Sequence, residues 1–340
     1  MDNVQTASYP NFQFNLYEES KFTFFVFITF LKTKMNIKHL KGLIAAPFTP
    51  FHTNGTLNLD LIPNYYAFLK ANGVKGAFIC GSTGEGVSLS IQEKKSVAEA
   101  WAIYTKADTD FTLMMFLGGT CIADCQELAI HANEIGVDAI SFTAPFYFKP
   151  ANAEMLAKAC MEVASVVPNM PFYYYHIPVL TGVNVAMYDL LQAIDGQMSN
   201  FVGIKYTHED FMDYQSCLTF KNNKYDMLWG RDENMLSALV LGAKGSVGST
   251  FNYAAPLYNQ LMKAFEENSL ETARNHQMTS INMIRLLGKY GGIATGKAYM
   301  KVVGLNCGEF RLPIKNMTKE QFEFFKNDVA LLNFDSFCSK

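Results

Sequence analysis

The fold of this chain can be predicted from residues 171–207, which read PFYYYHIPVLTGVNVAMYDLLQAIDGQMSNFVGIKYT. Two short runs rich in apolar and aromatic residues, Phe172 to His176 and Val202 to Tyr206, enclose a longer stretch in which a helix should stop at Gly196. A strand, a helix and a second strand in this order predict a βαβ unit, whose strands are parallel neighbours.

The same alternation continues in both directions along the chain. An α/β fold, a (β/α)8 TIM barrel, is therefore expected. An open doubly wound sheet is the alternative, but its first strand is usually followed by a glycine-rich dinucleotide fingerprint, where this chain has AAPFTP at residues 45–50. The strand candidates are Gly42 to Phe48, Gly76 to Cys80, Thr112 to Leu117, Ala139 to Thr143, Phe172 to His176, Val202 to Tyr206, Asp226 to Trp229 and Gly245 to Ser249.

Three regions are expected along the chain: a leader at 1–37, the barrel at 38–268 and C-terminal helices packed on the barrel at 269–340. The leader contains the apolar run Phe22 to Leu31, which is too short for the roughly 20 residues that span a bilayer. It is a poor signal peptide because Glu18 and Glu19 precede the run, and Met35 is a possible natural start. The additional helices are predicted at Ser269 to Leu287, Ile293 to Val303 and Thr318 to Leu332.

Composition and charge exclude several classes of function. A formal net charge of -3 and a pI near 6.1 provide no basic surface for a nucleic acid, so a small-molecule substrate is expected. Seven scattered cysteines do not form the even framework of a small secreted domain, which favours a reducing cytoplasm. Cys121 and Cys125 lie one helical turn apart without further ligands at familiar spacing, so no metal is predicted.

Lys205 is the first candidate for chemistry. It stands in FVGIKYT at residues 201–207, where a period of two separates Gly203, Lys205 and Thr207 from the apolar face. The lysine should therefore point into the barrel, near the C-terminal strand ends where such barrels have their active sites. A desolvated amine loses its charge more easily, and the neutral amine attacks ketones to form imines. The alternative is a lysine that reaches solvent at a strand end.

Tyr175 lies on the strand directly before that of Lys205, and these strands should be neighbours. A phenol beside a cationic lysine or iminium ionises more readily and can shuttle protons. For Tyr173 and Tyr174, packing in an aromatic core is the preferred interpretation.

Two loops add polar groups at the same end of the barrel. GSTGEG at residues 81–86 lacks the ending of a P-loop, but its backbone and the hydroxyls of Ser82 and Thr83 suit a carboxylate; an empty tight turn is the alternative. After strand seven, Asp232 and Glu233 could accept hydrogen bonds from a polyol, or could cap the helix near Asn234. Ser249 follows strand eight and is expected at the mouth.

Together these motifs resemble one family. GSTGE at 81–85, YHIP at 175–178, GIK at 203–205 and GRDE at 230–233 are similar to the N-acetylneuraminate lyase branch of the dihydrodipicolinate synthase superfamily, and the resemblance runs from about Leu40 to the C-terminus. It implies reversible retro-aldol cleavage of the sialic acid N-acetylneuraminate to N-acetylmannosamine and pyruvate, without a metal or an organic cofactor. It also implies a cytoplasmic protein, as in animal members, and a homotetramer.

The resemblance also implies roles for individual residues. Lys205 would form the imine and Tyr175 would transfer protons. Ser82 and Thr83 would hold the carboxylate of the keto acid, while Tyr147 would reach in from a neighbouring subunit. The residues that would contact hydroxyls of the sugar are Thr207, Gly230, Asp232, Glu233 and Ser249.

Two other functions remain open at this point. Dihydrodipicolinate synthase uses the same imine chemistry, but it normally has an arginine where this chain has Leu180, and leucine cannot bind a carboxylate bidentately. The second is a barrel that retains a ligand pocket but is a sensor or scaffold, because fold does not determine function.

Overall fold

In the computed structural model, which describes residues 37–340, eight strands pair in parallel and in chain order. The first and last strands also pair, with Gly42 opposite Gly245, so the sheet closes. The predicted (β/α)8 barrel is confirmed, and the open sheet is wrong. The strands are β1 (Gly42–Ala45), β2 (Gly76–Ile79), β3 (Thr112–Gly118), β4 (Ala139–Thr143), β5 (Phe172–His176), β6 (Phe201–Tyr206), β7 (Asp226–Trp229) and β8 (Gly245–Gly248).

Helices connect consecutive strands and surround the barrel. The helix bounds are α1 (Ile62–Ala71), α2 (Ile91–Thr105), α3 (Ile122–Ile135), α4 (Ala153–Ala164), α5 (Pro178–Thr181), α6 (Met187–Ile194), α7 (Phe211–Thr219), α8 (Met235–Leu241), α9 (Phe251–Glu266), α10 (Leu270–Lys289), α11 (Ala294–Val302) and α12 (Lys319–Leu331). Helix α9 follows β8, and α10 to α12 are the additional C-terminal helices. Capping boxes begin α2 at Ser90 and α12 at Thr318, as their Ser-x-x-Glu and Thr-x-x-Gln patterns predict.

Side chains of each strand alternate between the barrel interior and the layer under the helices. On β6, Ile204 and Tyr206 belong to the apolar core between strands and helices. Lys205, between them in sequence, instead faces the rings of Phe78 and Tyr175 from other strands. The predicted period of two on this strand is therefore confirmed, and it directs the lysine into the barrel.

The barrel interior contains a buried carboxyl group at the end where the strands begin. Asp226 begins β7, and its Oδ2 accepts hydrogen bonds from the Tyr173 hydroxyl at 2.8 Å and from the Leu40 backbone N–H at 3.2 Å. Its Oδ1 lies 3.9 Å from His39 Nδ1. Burial raises the pKa of Asp226 to about 7, while the bonds from Tyr173 and Leu40 act in the opposite direction.

This shift predicts how stability depends on pH. The pKa of Asp226 is higher in the folded protein than in the unfolded chain, so its stabilising contribution is complete below about pH 4 and disappears as pH rises through about 7. The unfolding free energy of the native chain should therefore fall relative to Asp226→Asn over this interval, by about 4 kcal/mol in total. Denaturant unfolding of both chains at several pH values measures the difference, and parallel profiles would contradict the assignment.

Residues 1–36 lie outside the described part of the chain, and so does the apolar run Phe22 to Leu31. The predicted leader at 1–37 falls almost entirely in this segment. Within residues 37–340, no helix combines the length and the apolar character that are needed to cross a membrane.

Candidate active site

Lys205 occupies the centre of the site. It lies near the C-terminal end of β6, opposite Tyr175 of β5 in the parallel ladder. Its side-chain Nζ lies 4.1 Å from the ring centroid of Phe78 and 4.1 Å from that of Tyr175, and the residue is only 4% exposed. The alternative in which this lysine reaches solvent is therefore wrong.

The surroundings of Lys205 favour the neutral amine. Burial lowers its pKa to about 7, although the negative charge of Asp232 acts in the opposite direction. Within residues 37–340, no carboxylate oxygen lies within 4.0 Å of Nζ. Near neutral pH a large fraction of the amine is thus unprotonated and can act as a nucleophile.

Tyr175 places its aromatic ring beside the amine of Lys205, and its hydroxyl lies near Ser82. Its phenol oxygen lies 3.5 Å from Ser82 Oγ, and its ring makes edge contacts with Phe78 and Phe116 at centroid distances of 5.5 and 5.7 Å. Burial raises the pKa of Tyr175, while the hydroxyls of Ser82 and Thr207 act against this shift. This shift is opposite to the easier ionisation that the sequence predicts for a phenol beside a cationic lysine.

The loop after β2 brings Ser82 to this pair. It turns tightly, with the Gly86 N–H donating to the carbonyl of Gly81 at 3.0 Å. A side chain at position 86 would place its Cβ 1.6 Å from the carbonyl oxygen of Cys80, so glycine is required there. Thr49, which follows β1, also holds the loop, because its hydroxyl donates to the carbonyl of Gly84 at 2.6 Å.

Asp232 contributes a buried carboxyl group that is only partly hydrogen-bonded. Its Oδ2 accepts from the backbone N–H and the hydroxyl of Thr250, at 2.9 and 2.6 Å, where helix α9 begins. Its Oδ1 is buried without a hydrogen-bond partner among the described residues. Burial raises the pKa of Asp232 to about 6. Asp232 therefore caps the start of α9, and the expectation that it caps the helix near Asn234 is wrong.

Glycines create the space for these polar groups. A Cβ at Gly248 would lie 2.1 Å from Asp232 Oδ1, and a Cβ at Gly230 would lie 2.0 Å from Thr207 Oγ1. The hydroxyl of Thr207 is also buried and forms no hydrogen bond within 3.5 Å among residues 37–340, although it is close enough to the Tyr175 phenol to oppose the rise of that group's pKa. Buried polar atoms are usually hydrogen-bonded, so these two atoms indicate where a bound molecule would supply the missing partners.

The other residues singled out from the sequence differ in their burial and contacts. Thr83 is buried in the β2 loop, and Ser249 is partly buried after β8. Glu233 pairs with Arg231 at 3.2 Å, and Tyr147 is 77% exposed. No described contact joins any of these four residues to the lysine or the phenol.

Two aromatic residues belong to the site although no motif in the sequence marks them. Phe78 and Phe116 pack against Tyr175, and Phe78 also lies under the amine of Lys205. The period of two in β2 and β3 could have placed them in the barrel interior. Their contribution is an apolar environment that excludes water from the amine.

No arrangement of ligands for a metal occurs in residues 37–340, where no group of three or more His, Cys, Asp and Glu side chains could hold an ion. All seven cysteines are free; Cys121 is exposed and Cys125 is buried.

The match to known proteins covers almost the whole described chain. A model of the dihydrodipicolinate synthetase family matches residues 39–331. The N-acetylneuraminate lyase of Rattus norvegicus is 41% identical over 304 residues, 88% of this chain and 95% of the relative. The solved lyase of Proteus mirabilis is 37% identical with a TM-score of 0.84, over 87% of this chain and 100% of that chain. A catalytic lysine mutant of Ruminococcus gnavus sialic acid aldolase is 26% identical with a TM-score of 0.81, covering 87% and 97%. This chain therefore belongs to the dihydrodipicolinate synthetase family.

Proposed function

We propose that this protein is a Schiff-base aldolase that cleaves N-acetylneuraminate reversibly to N-acetylmannosamine and pyruvate. The observation that carries the proposal is the desolvated amine of Lys205 beside the phenol of Tyr175, at the catalytic end of the barrel. The names of the rat and Proteus relatives support the substrate. The Ruminococcus relative, a catalytic lysine mutant of a sialic acid aldolase, supports the chemistry.

The reaction begins when the neutral amine of Lys205 attacks the keto carbon of the substrate. Loss of water from the resulting carbinolamine gives an iminium, and the protons needed for this step can pass through Tyr175. The positive iminium lies beside the Tyr175 ring, in an interior closed by Phe78 and Phe116. Water exclusion there strengthens the effect of the iminium charge on the phenol.

Cleavage uses the iminium as an electron sink. The electron pair of the breaking carbon–carbon bond moves into the iminium and leaves an enamine, while the neighbouring hydroxyl loses its proton and becomes the aldehyde. Tyr175 as a phenolate, or the carboxylate of the substrate, accepts this proton. Protonation of the enamine and hydrolysis then release pyruvate and restore the amine of Lys205.

The remaining assignments concern substrate binding. Ser82 and Thr83 hold the carboxylate of the keto acid, and the hydroxyls of the sugar chain meet Thr207, Gly230, Asp232, Glu233 and Ser249. The unpartnered atoms Thr207 Oγ1 and Asp232 Oδ1 support this placement, since hydroxyls can donate to both. Tyr147, with an exposed ring, acts on a neighbouring subunit of a homotetramer. We place the enzyme in the cytoplasm, acting without a cofactor.

Activity assays test the substrate directly. The purified protein should release pyruvate from N-acetylneuraminate. In the reverse direction it should form N-acetylneuraminate from N-acetylmannosamine and pyruvate. Condensation of pyruvate with aspartate semialdehyde, the dihydrodipicolinate synthase reaction, should be absent. The lack of an arginine supports this expectation, since position 180 is an exposed leucine on α5. If the protein condenses the semialdehyde but does not release pyruvate from N-acetylneuraminate, the proposed reaction becomes that of dihydrodipicolinate synthase. If it shows neither activity, a non-catalytic barrel is favoured.

The division of the chain at residues 37 and 268 stays a prediction. Comparing full-length protein with a chain that begins at Met35 tests whether the N-terminal segment contributes to activity.

A further inference from the structure

A buried ion pair joins the β2 loop to the C-terminal helices. Lys297 of α11 donates from Nζ to Glu85 Oε1 at 2.8 Å, and the two side chains are 3% and 4% exposed. Nζ also donates to the carbonyl of Glu309 at 3.0 Å, while Glu85 Oε2 accepts from the Arg311 backbone N–H at 2.8 Å. The carboxylate therefore binds two separate segments of the C-terminal region.

The pair is enclosed by aromatic rings. Nζ of Lys297 lies 4.5 Å from the ring centroid of Phe51 and 4.7 Å from that of Phe310. The guanidinium of Arg311 lies 4.4 Å from the Phe51 ring and donates to the carbonyl of Gly55 at 2.8 Å. Burial of two opposite charges stabilises a fold little by itself, because desolvation offsets their attraction. A role in fixing one geometry is therefore the better explanation.

That geometry includes the loop carrying Ser82 and Thr83. Glu85 lies two residues after Thr83 in the left-handed region, with φ 58°. Its backbone N–H donates to the carbonyl of Ser82 at 3.2 Å, while its side chain is held by Lys297 and Arg311. The same residue thus bonds to the loop through its backbone and to the C-terminal region through its carboxylate.

We propose that Glu85 and Lys297 are positioning residues that hold Ser82 and Thr83 at the carboxylate of the keto acid. This inference rests on the proposed function, which assigns the carboxylate to that loop. It extends the proposed function, because the C-terminal region would then affect the affinity for pyruvate through the β2 loop without contacting pyruvate itself.

The synthetic direction separates this role from general destabilisation, since pyruvate and N-acetylmannosamine are varied independently. In Glu85→Gln, the KM for pyruvate should rise about tenfold, while the KM for N-acetylmannosamine and kcat change less than about twofold. Lys297→Met should show the same selective rise. Lys297→Arg retains the positive charge and should restore most of the affinity for pyruvate.

Tyr299→Phe is the matched control. Its buried hydroxyl donates to the carbonyl of Met283 at 3.0 Å within the same helices, and it has no contact with the β2 loop. The control should lower the unfolding temperature without changing the KM for pyruvate. If the single charge removals do not fold, the neutral pair Glu85→Gln with Lys297→Gln is measured by the same criterion.

An unchanged pyruvate KM in folded Glu85→Gln, or an equal rise of both KM values, would overturn the positioning role. Failure of the native chain to release pyruvate from N-acetylneuraminate would instead overturn the proposed function. The two failures are distinguishable because one concerns the variants and the other the native protein.

Discussion

Lys205→Ala should abolish lyase turnover while the barrel still folds. The substitution removes the amine that is proposed to form the imine, and no other group in the described site would replace it. With the pKa of Lys205 lowered to about 7, a large fraction of the amine is neutral near pH 7. At an ordinary lysine pKa, only roughly one amine in three thousand would be neutral at this pH. Pyruvate release from N-acetylneuraminate measures the loss, and circular dichroism checks the fold.

Lys94→Ala is the matched control for this substitution. Lys94 is also a buried lysine, 8% exposed, but its Nζ donates to the carbonyl of Leu117 and it has no contact with Tyr175. The control should reduce stability and retain turnover. Near-normal turnover in folded Lys205→Ala would refute the imine assignment.

Tyr175→Phe should lower kcat by about 10²- to 10⁴-fold, the range that general acid–base groups contribute. The ring would keep its contacts with Phe78 and Phe116, so only the hydroxyl that is proposed to transfer protons is removed. Imine formation with pyruvate should still occur, although more slowly. Steady-state kinetics in the cleavage direction and borohydride trapping separate these effects.

Tyr173→Phe tests whether the effect is specific to position 175. Tyr173 lies on the same strand, but its hydroxyl donates to Asp226 at 2.8 Å. Its loss should affect stability and leave kcat nearly unchanged. If Tyr175→Phe retains full kcat, the substrate carboxylate rather than the phenol is the proton acceptor.

Much of the barrel could be predicted because each strand is a short apolar run between helical segments. The predicted ends of the fourth, fifth and seventh strands agree with the structure. Strand β1 ends at Ala45 rather than at the predicted Phe48. The run of apolar residues continues, but Pro47 has no N–H with which to extend the ladder.

The candidate site could be predicted in part. The positions of Lys205 and Tyr175 could be predicted, because the alternation along each strand and the order of neighbouring strands determine where these side chains point. The hydrogen bond between Asp232 and Thr250 and the ion pair between Glu85 and Lys297 could not be predicted, because these partners are 18 and 212 residues apart in sequence. Such contacts depend on how the closed barrel and the C-terminal helices pack, which no local pattern specifies.

Borohydride trapping with pyruvate, followed by peptide mass spectrometry, tests the central claim most directly. Reduction converts the imine into a stable secondary amine, so the modified residue can be identified. We expect a single pyruvyl adduct on the peptide that contains Lys205, and none in Lys205→Ala. No adduct, or an adduct on a different lysine, would contradict the account.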